Sequence, residues 1–180
     1  VFINTVKQGP GQVTYKINGH ERVAIIEPVE KNGKQYVFYL RANARWSDGQ
    51  PVTAQQFVAA WQRVLNPSTG APYAFLLSSA LNLKPGQPAI QAVNSHVLKI
   101  TLQHPVPYFL YVLALPVSFP IRPDQIARYG DRWTEAGLMQ TNGPYRLVQW
   151  QHESHMVLKP HTAYWAGAPQ NAGIRFEMIP

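Results

Sequence analysis

The side chains of this 180-residue chain that could do chemistry are nine carboxylates, six histidines and a large aromatic set of 9 Tyr, 7 Phe and 5 Trp. Paired general acid–base work needs two carboxyls brought into one geometry. Here the acids, among them Asp48, Asp124, Glu135 and Glu177, sit mostly in turns or beside basic residues, and no pair has a spacing that forces both onto one helix face. Gly-x-Ser-x-Gly, a phosphate-cradling glycine loop and His-Glu-x-x-His are all absent from the sequence. Active sites also assemble across sequence, but a positive signal for an enzyme is missing. His152, His155 and His161 cluster. Ligands on one strand need even spacing to share a face, and the step from 152 to 155 is odd. Ordinary strand and turn histidines are expected there, with no metal and no cofactor. The aromatics Tyr73, Tyr108, Phe109 and Tyr111 stand near proline-rich loops. Rings with a polar tip suit a binding cleft, and the same residues also serve as core.

The elements that must position these groups follow from composition and pattern. The apolar fraction is 46% and the charged fraction 14%, which suits a packed globule rather than a disordered chain. Prolines number 16, well above the usual ~5%, and lie in turn-like contexts, so a loop-rich mixed fold is expected rather than a helical bundle. Cysteine is absent, which excludes disulfides, iron–sulfur clusters, cysteine-bound zinc and a thiol nucleophile. No apolar run reaches the roughly 18 residues of a membrane span. The net charge of +7 raises nucleic acid as a partner. The basic residues are spread without clustering, so a mildly basic solvated surface is expected and no nucleic acid.

Asn18-Gly19 and Asn32-Gly33 are hairpin signals, and Gln35 to Arg41 has strong strand propensity. Val1 to Val6 reads as the tail of an element. Thr53 with Gln56 forms a capping box, and Ala54, Phe57, Val58, Trp61, Val64 and Leu65 recur at helical spacing until Asn66-Pro67. Val93 to Leu102 predicts a strand pair turning at Asn94-Ser95, and Tyr108 to Leu115 a short buried helix ended by Pro116. Pro123 to Tyr129 predicts a helix closed by Gly130. Tyr145 to Trp150, His155 to Lys159 and Ile174 to Ile179 predict strands. The order is an α+β pattern.

The run from Tyr36 to Pro67 contains Leu40-Arg41, the turn Trp46-Ser47-Asp48-Gly49, and Pro51-Val-Thr-Ala-Gln-Gln-Phe57 opening the helix. It resembles the signature region of the oligopeptide-binding family of ABC-importer solute receptors. The resemblance continues at Pro72-Tyr73-Ala74, Pro105-Val-Pro-Tyr-Phe109, Thr141-Asn-Gly-Pro-Tyr145 and Tyr164-Trp165, and covers about residues 36–180. Residues 1–35 fit it less well. Asp48-Gly49 permits a tight turn, Pro51 and Thr53 set and cap the helix, and Trp46, Phe57 and Trp61 supply buried area, so the motif speaks mainly for scaffold.

The resemblance implies a mixed-sheet lobe of the type II periplasmic-binding-protein fold. Residues 1–180 then form part of the first lobe of a two-lobed receptor about three times this length, as an excised piece or a natural truncation. It implies an extracytoplasmic, non-enzymatic binding protein for a peptide or another small solute, with a membrane permease as partner. Tyr73 aligns with a tyrosine that faces the peptide cleft, and it is the one site residue carried over. An alternative that the same resemblance allows is the ligand-sensing domain of a cytoplasmic transcriptional regulator. Upstream sequence distinguishes the two: a signal peptide or lipidated cysteine against a helix-turn-helix.

Overall fold

A computed structural model describes residues 8–9, 12–17, 20–24, 26–28, 33–84, 86 and 88–179, the first four stretches by backbone alone. The chain divides into two compact units, residues 1–41 with 53–121, and residues 42–52 with 122–180. The expected element at Val1 to Val6 lies outside the described residues, as do Asn18, Gly19 and Asn32.

In the first unit, β1 (Gln8–Gly9), β2 (Gln12–Ile17) and β3 (His20–Ala24) form an antiparallel sheet in the order β1-β2-β3. Ile17 pairs with His20, the register of a two-residue hairpin. β4 (Ile26–Pro28) and β5 (Gln35–Tyr39) join β6 (Ile90–Asn94) and β7 (Val97–Thr101) in a second sheet, order β4-β5-β7-β6. Pro28 pairs with Tyr36. Asn94 pairs with Val97, which sets the β6–β7 turn at Ser95-His96, one residue later than expected.

The β5–β7–β6 register puts Tyr36, Phe38, Leu98, Ile100, Ala92 and Ile90 on one face. That face meets α1 (Ala54–Leu65), whose apolar stripe turns Ala54, Ala60 and Trp61 fully inward. The capping box forms: the Gln56 side-chain oxygen accepts the Thr53 N–H at 2.9 Å. Trp61 is 1% exposed, meets Phe109 edge to face at 6.4 Å, and donates its indole N–H to the Ser118 carbonyl at 3.1 Å. α2 (Ala74–Ser78) and α3 (Phe109–Val112) close the unit. α3 is shorter than the expected Tyr108 to Leu115 helix, because Pro116 opens a separate 3-10 turn over Pro116–Ser118.

In the second unit, α4 (Pro123–Tyr129) begins with proline in its first turn and ends at Gly130, where φ is 57°. A 3-10 turn, Gly130–Thr134, follows it. β8 (Tyr145–Gln151), β9 (His155–Pro160) and β10 (Ile174–Glu177) form an antiparallel sheet, order β10-β9-β8. All three family-like segments in this unit meet. Ser47 Oγ donates to the Gln140 side chain at 2.7 Å, and the Ser47 N–H donates to the Thr141 carbonyl at 2.7 Å. Trp165 donates to the Asn142 carbonyl at 3.3 Å.

The α+β expectation holds, but the mixed sheet does not: every strand pair among the described residues is antiparallel. A parallel pair needs a crossover that returns a strand beside its predecessor. Here the connection through α1 and α2 leads from β5 to β6, and β7 separates them. β5 and β6 run the same way without pairing.

Candidate functional site

Tyr73 stands on the segment that links α1 to α2, and each step of that segment has a local cause. Asn66 ends α1 and its side chain accepts the Ser68 N–H at 3.0 Å, opening a 3-10 turn over Pro67–Thr69. Gly70 closes that turn with φ of 59°, a left-handed conformation suited to glycine. Pro72 then precedes Tyr73, which adopts φ 64° and ψ 10°. A left-handed tyrosine has no such licence: Cβ crowds the carbonyl at a cost of roughly 1–2 kcal/mol. Strain of this kind persists only where surroundings over-determine it, and it concentrates at functional sites. The surroundings are α2, pinned to the core by fully buried Leu77, with Ala80 and Leu81 behind it. The Leu76 N–H donates to the Tyr73 carbonyl at 3.0 Å.

The four aromatics singled out in the sequence separate. Phe109 is 0% exposed and is core, its ring tilted against Tyr36 at 5.3 Å and edge to face with Trp61. Tyr73 is 64% exposed, and Tyr108 and Tyr111 are exposed as well. Phe75 joins them at 62%, with its ring centroid 6.3 Å from that of Tyr73. Phe75 lies within an apolar stretch, and residue type alone does not distinguish it from core. Helical spacing held the signal: Leu77, Ala80 and Leu81 are one face, and Phe75 falls off it.

The three histidines do not converge on a common centre. His152 is exposed, stacks on Trp150 at 4.3 Å and meets the Glu135 carboxylate at 3.0 Å. His155 is buried with its Nδ1 3.0 Å from Ser154 Oγ, and His161 is buried with Nδ1 3.4 Å from the Gly143 carbonyl. Among the described residues no group of three His, Cys, Asp or Glu could hold a metal ion. Among the described residues no helix is long and apolar enough to cross a membrane.

The charged centre of the second unit is Arg122, 5% exposed. It makes a two-pronged contact with Asp124 at 2.6 and 2.8 Å and a third bond to Asp48 at 2.7 Å, and its guanidinium lies 5.7 Å from the centre of the Trp46 ring. These bonds raise the Arg122 pKa above its ordinary value. They also hold the Asp124 carboxyl at about 2, the Arg122 hydrogen bond being the largest cause. The Trp46 to Pro51 turn is thus held by the Arg122–Asp48 ion pair.

Tyr73 and Phe75 thus stand out to solvent at the start of a helix that buried Leu77 anchors. The model of the bacterial extracellular solute-binding proteins, family 5 Middle, matches residues 24–180, and the chain belongs to that family. Its members are extracellular solute-binding proteins. The chain is 36% identical over 169 residues to the periplasmic oligopeptide-binding protein OppA of Escherichia coli, covering 88% of this chain and 31% of OppA. It is also 36% identical over 142 residues to the probable deoxycholate-binding periplasmic protein YgiS of the same organism, covering 73% of this chain and 26% of YgiS. The structure of the Escherichia coli murein tripeptide binding protein MppA superposes with a TM-score of 0.78 at 31% identity, over 99% of this chain and 36% of that one. The chain spans about a third of the length of these relatives.

Proposed function

We propose that this chain is part of the peptide-binding component of an ABC importer, contributing a portion of the first lobe of a type II periplasmic-binding-protein fold. In this reading an extended peptide is held largely through its main chain, as an added strand is held. Tyr73 supplies an apolar ring face and a hydroxyl at the ligand surface, and a membrane permease receives the peptide. The observation that carries the reading is the left-handed, outward Tyr73 on a helix anchored by Leu77. Two of the three relatives named above carry peptide in their names, which supports peptide over other solutes. The extracellular family counts against the sensor of a cytoplasmic regulator.

The test is a nuclear magnetic resonance titration of the 180-residue chain with a neutral tripeptide and, separately, with deoxycholate. Saturable shifts centred on residues 70–78 with the tripeptide, and recovery of that peptide intact, are expected. One wall of a cleft desolvates a ligand on one side only, so the affinity is expected to be weak. Saturable binding of deoxycholate with none of the peptide overturns the peptide reading.

A further inference from the structure

We propose that Phe75 is a specificity-determining residue: with Tyr73 it makes a two-ring surface that favours peptides bearing an aromatic or large apolar side chain. This rests on the reading of Tyr73 as a ligand contact and assigns the neighbouring ring a separate task.

The geometry of the pair calls for an explanation. Residues i and i+2 on a helix point away from each other. Tyr73 and Phe75 have that spacing, yet their ring centroids are 6.3 Å apart with planes tilted by 46°. The left-handed backbone at Tyr73 takes it out of the helical course, so ordinary helical divergence does not apply to its ring. The core gains little from this arrangement. α2 is already anchored through Leu77, while both rings stand more than three-fifths exposed. Strain that does not serve burial, and that accompanies two apolar rings left in water, fits a surface kept for a ligand.

The two rings differ in what they can recognise. Tyr73 has a hydroxyl and can bond to main-chain groups common to every peptide. Phe75 has no polar atom and can contribute only apolar and ring–ring contact, which varies with the side chain presented. Its backbone is set by the helix, where its carbonyl accepts the Ser79 N–H at 2.9 Å. The occupant is therefore a side chain of the same peptide that Tyr73 contacts.

The experiment uses the 180-residue chain and two neutral peptides, Ala-Ala-Ala and Ala-Phe-Ala, with dissociation constants read by nuclear magnetic resonance and folding checked by circular dichroism. The wild type is expected to prefer Ala-Phe-Ala by about five- to tenfold, the scale of one partly exposed aromatic contact. Phe75→Ser should bring that ratio close to one while leaving Ala-Ala-Ala within about twofold of wild type, and Phe75→Leu should keep part of the preference. Tyr73→Ala should weaken both peptides together. An unchanged ratio in Phe75→Ser, with Tyr73→Ala still weakening both peptides, overturns the role of Phe75 and leaves the peptide reading standing. Tyr73→Ala without effect on either peptide, or no binding of either by the wild type, removes the peptide reading and this proposal with it. Self-association lost in Phe75→Ser, in place of a peptide preference, makes the ring pair a contact between copies and also overturns the proposal.

Discussion

The Arg122 guanidinium donates to the Asp48 carboxylate at 2.7 Å across a sequence separation of 74 residues. This bond ties the turn after β5 to the start of α4, and the buried Trp46 ring lies against the same guanidinium. Arg122 remains charged at any working pH, so Asp48→Asn leaves a buried cation with less compensation. A charge-assisted hydrogen bond contributes about 1.5–3 kcal/mol, and Asp48→Asn should destabilise by that amount in urea unfolding. Arg122→Ala leaves Asp48 and Asp124 with side chains 29% and 57% exposed and open to water, so it should cost about 1.5–3 kcal/mol. Losses under about 0.5 kcal/mol for both would show that the network is not structural.

The same network gives an acid response whose sign follows from Asp124. Its carboxyl titrates at about 2 instead of the ordinary 3.8 because Arg122 bonds its ionised form. A depressed folded-state pKa contributes stability that is fully present above the ordinary value and lost as pH falls through the folded one. Stability should therefore drop between about pH 4 and pH 2. Asp124 is 57% exposed in its side chain, so screening holds its share to roughly 1 kcal/mol. Asp124→Asn should flatten the Tm against pH curve over that window, and an unaltered slope would dissociate Asp124 from the acid response.

Gly173 precedes β10 with φ of 145°, and a Cβ built there meets the Leu158 carbonyl oxygen at 2.5 Å. That oxygen is backbone of β9 and cannot swing aside. Gly173→Ala should destabilise the second unit by about 1–3 kcal/mol, as overpacking does, and hydrogen exchange should rise first in β9 and β10. Exchange unchanged in those strands would mean that the β10 edge relaxes at no cost.

Where local signals were complete, the sequence reading and the structure coincide. α1 had a capping box, a 3.6-residue stripe and Asn66-Pro67 to end it, and α4 had Pro123 and Gly130. β8 and β9 form where expected, and β8 alternates except at a register shift between Leu147 and Gln149 that alternation does not reveal, while β9 is covered along most of its length. α2 was not legible, because it begins from a left-handed tyrosine, a conformation that no propensity rule assigns to that residue. The mixed sheet was carried over from the family resemblance, and hairpin and crossover geometry decided otherwise. Tyr73 entered through resemblance alone. Its strain, its exposure and its neighbour Phe75 are tertiary facts that no spacing rule states.

Trp61 is the opposite kind of aromatic. It is enclosed by the sheet face and Phe109, and its N–H is satisfied by Ser118. Trp61→Ala should cost about 3–5 kcal/mol, the range for large-to-small changes at an aromatic core site. Trp61→Phe should keep most of the packing and lose about 1–3 kcal/mol for the unpaired Ser118 carbonyl. Both should leave ligand affinity per folded molecule unchanged. A fall in affinity at full folding would place Trp61 at the ligand surface and reverse its assignment.

Tyr73→Gly separates strain from function at one position. Glycine adopts φ of 64° freely, which relieves roughly 1–2 kcal/mol of left-handed cost. Its own entropy in the unfolded chain returns about 0.5–1 kcal/mol of that. The net expectation is a gain of up to about 1 kcal/mol in stability, read as a higher urea midpoint at unchanged m-value. Tyr73→Val keeps the strain and adds a β-branched side chain that resists the left-handed region, so it should be less stable than wild type. Both variants lose the ring and should weaken tripeptide binding by a similar factor. Stability and affinity then move in opposite directions for Tyr73→Gly, the pattern of a residue kept for binding against the preference of the fold. Loss of stability in Tyr73→Gly would show instead that the ring contributes to packing and that its exposure misrepresents its role.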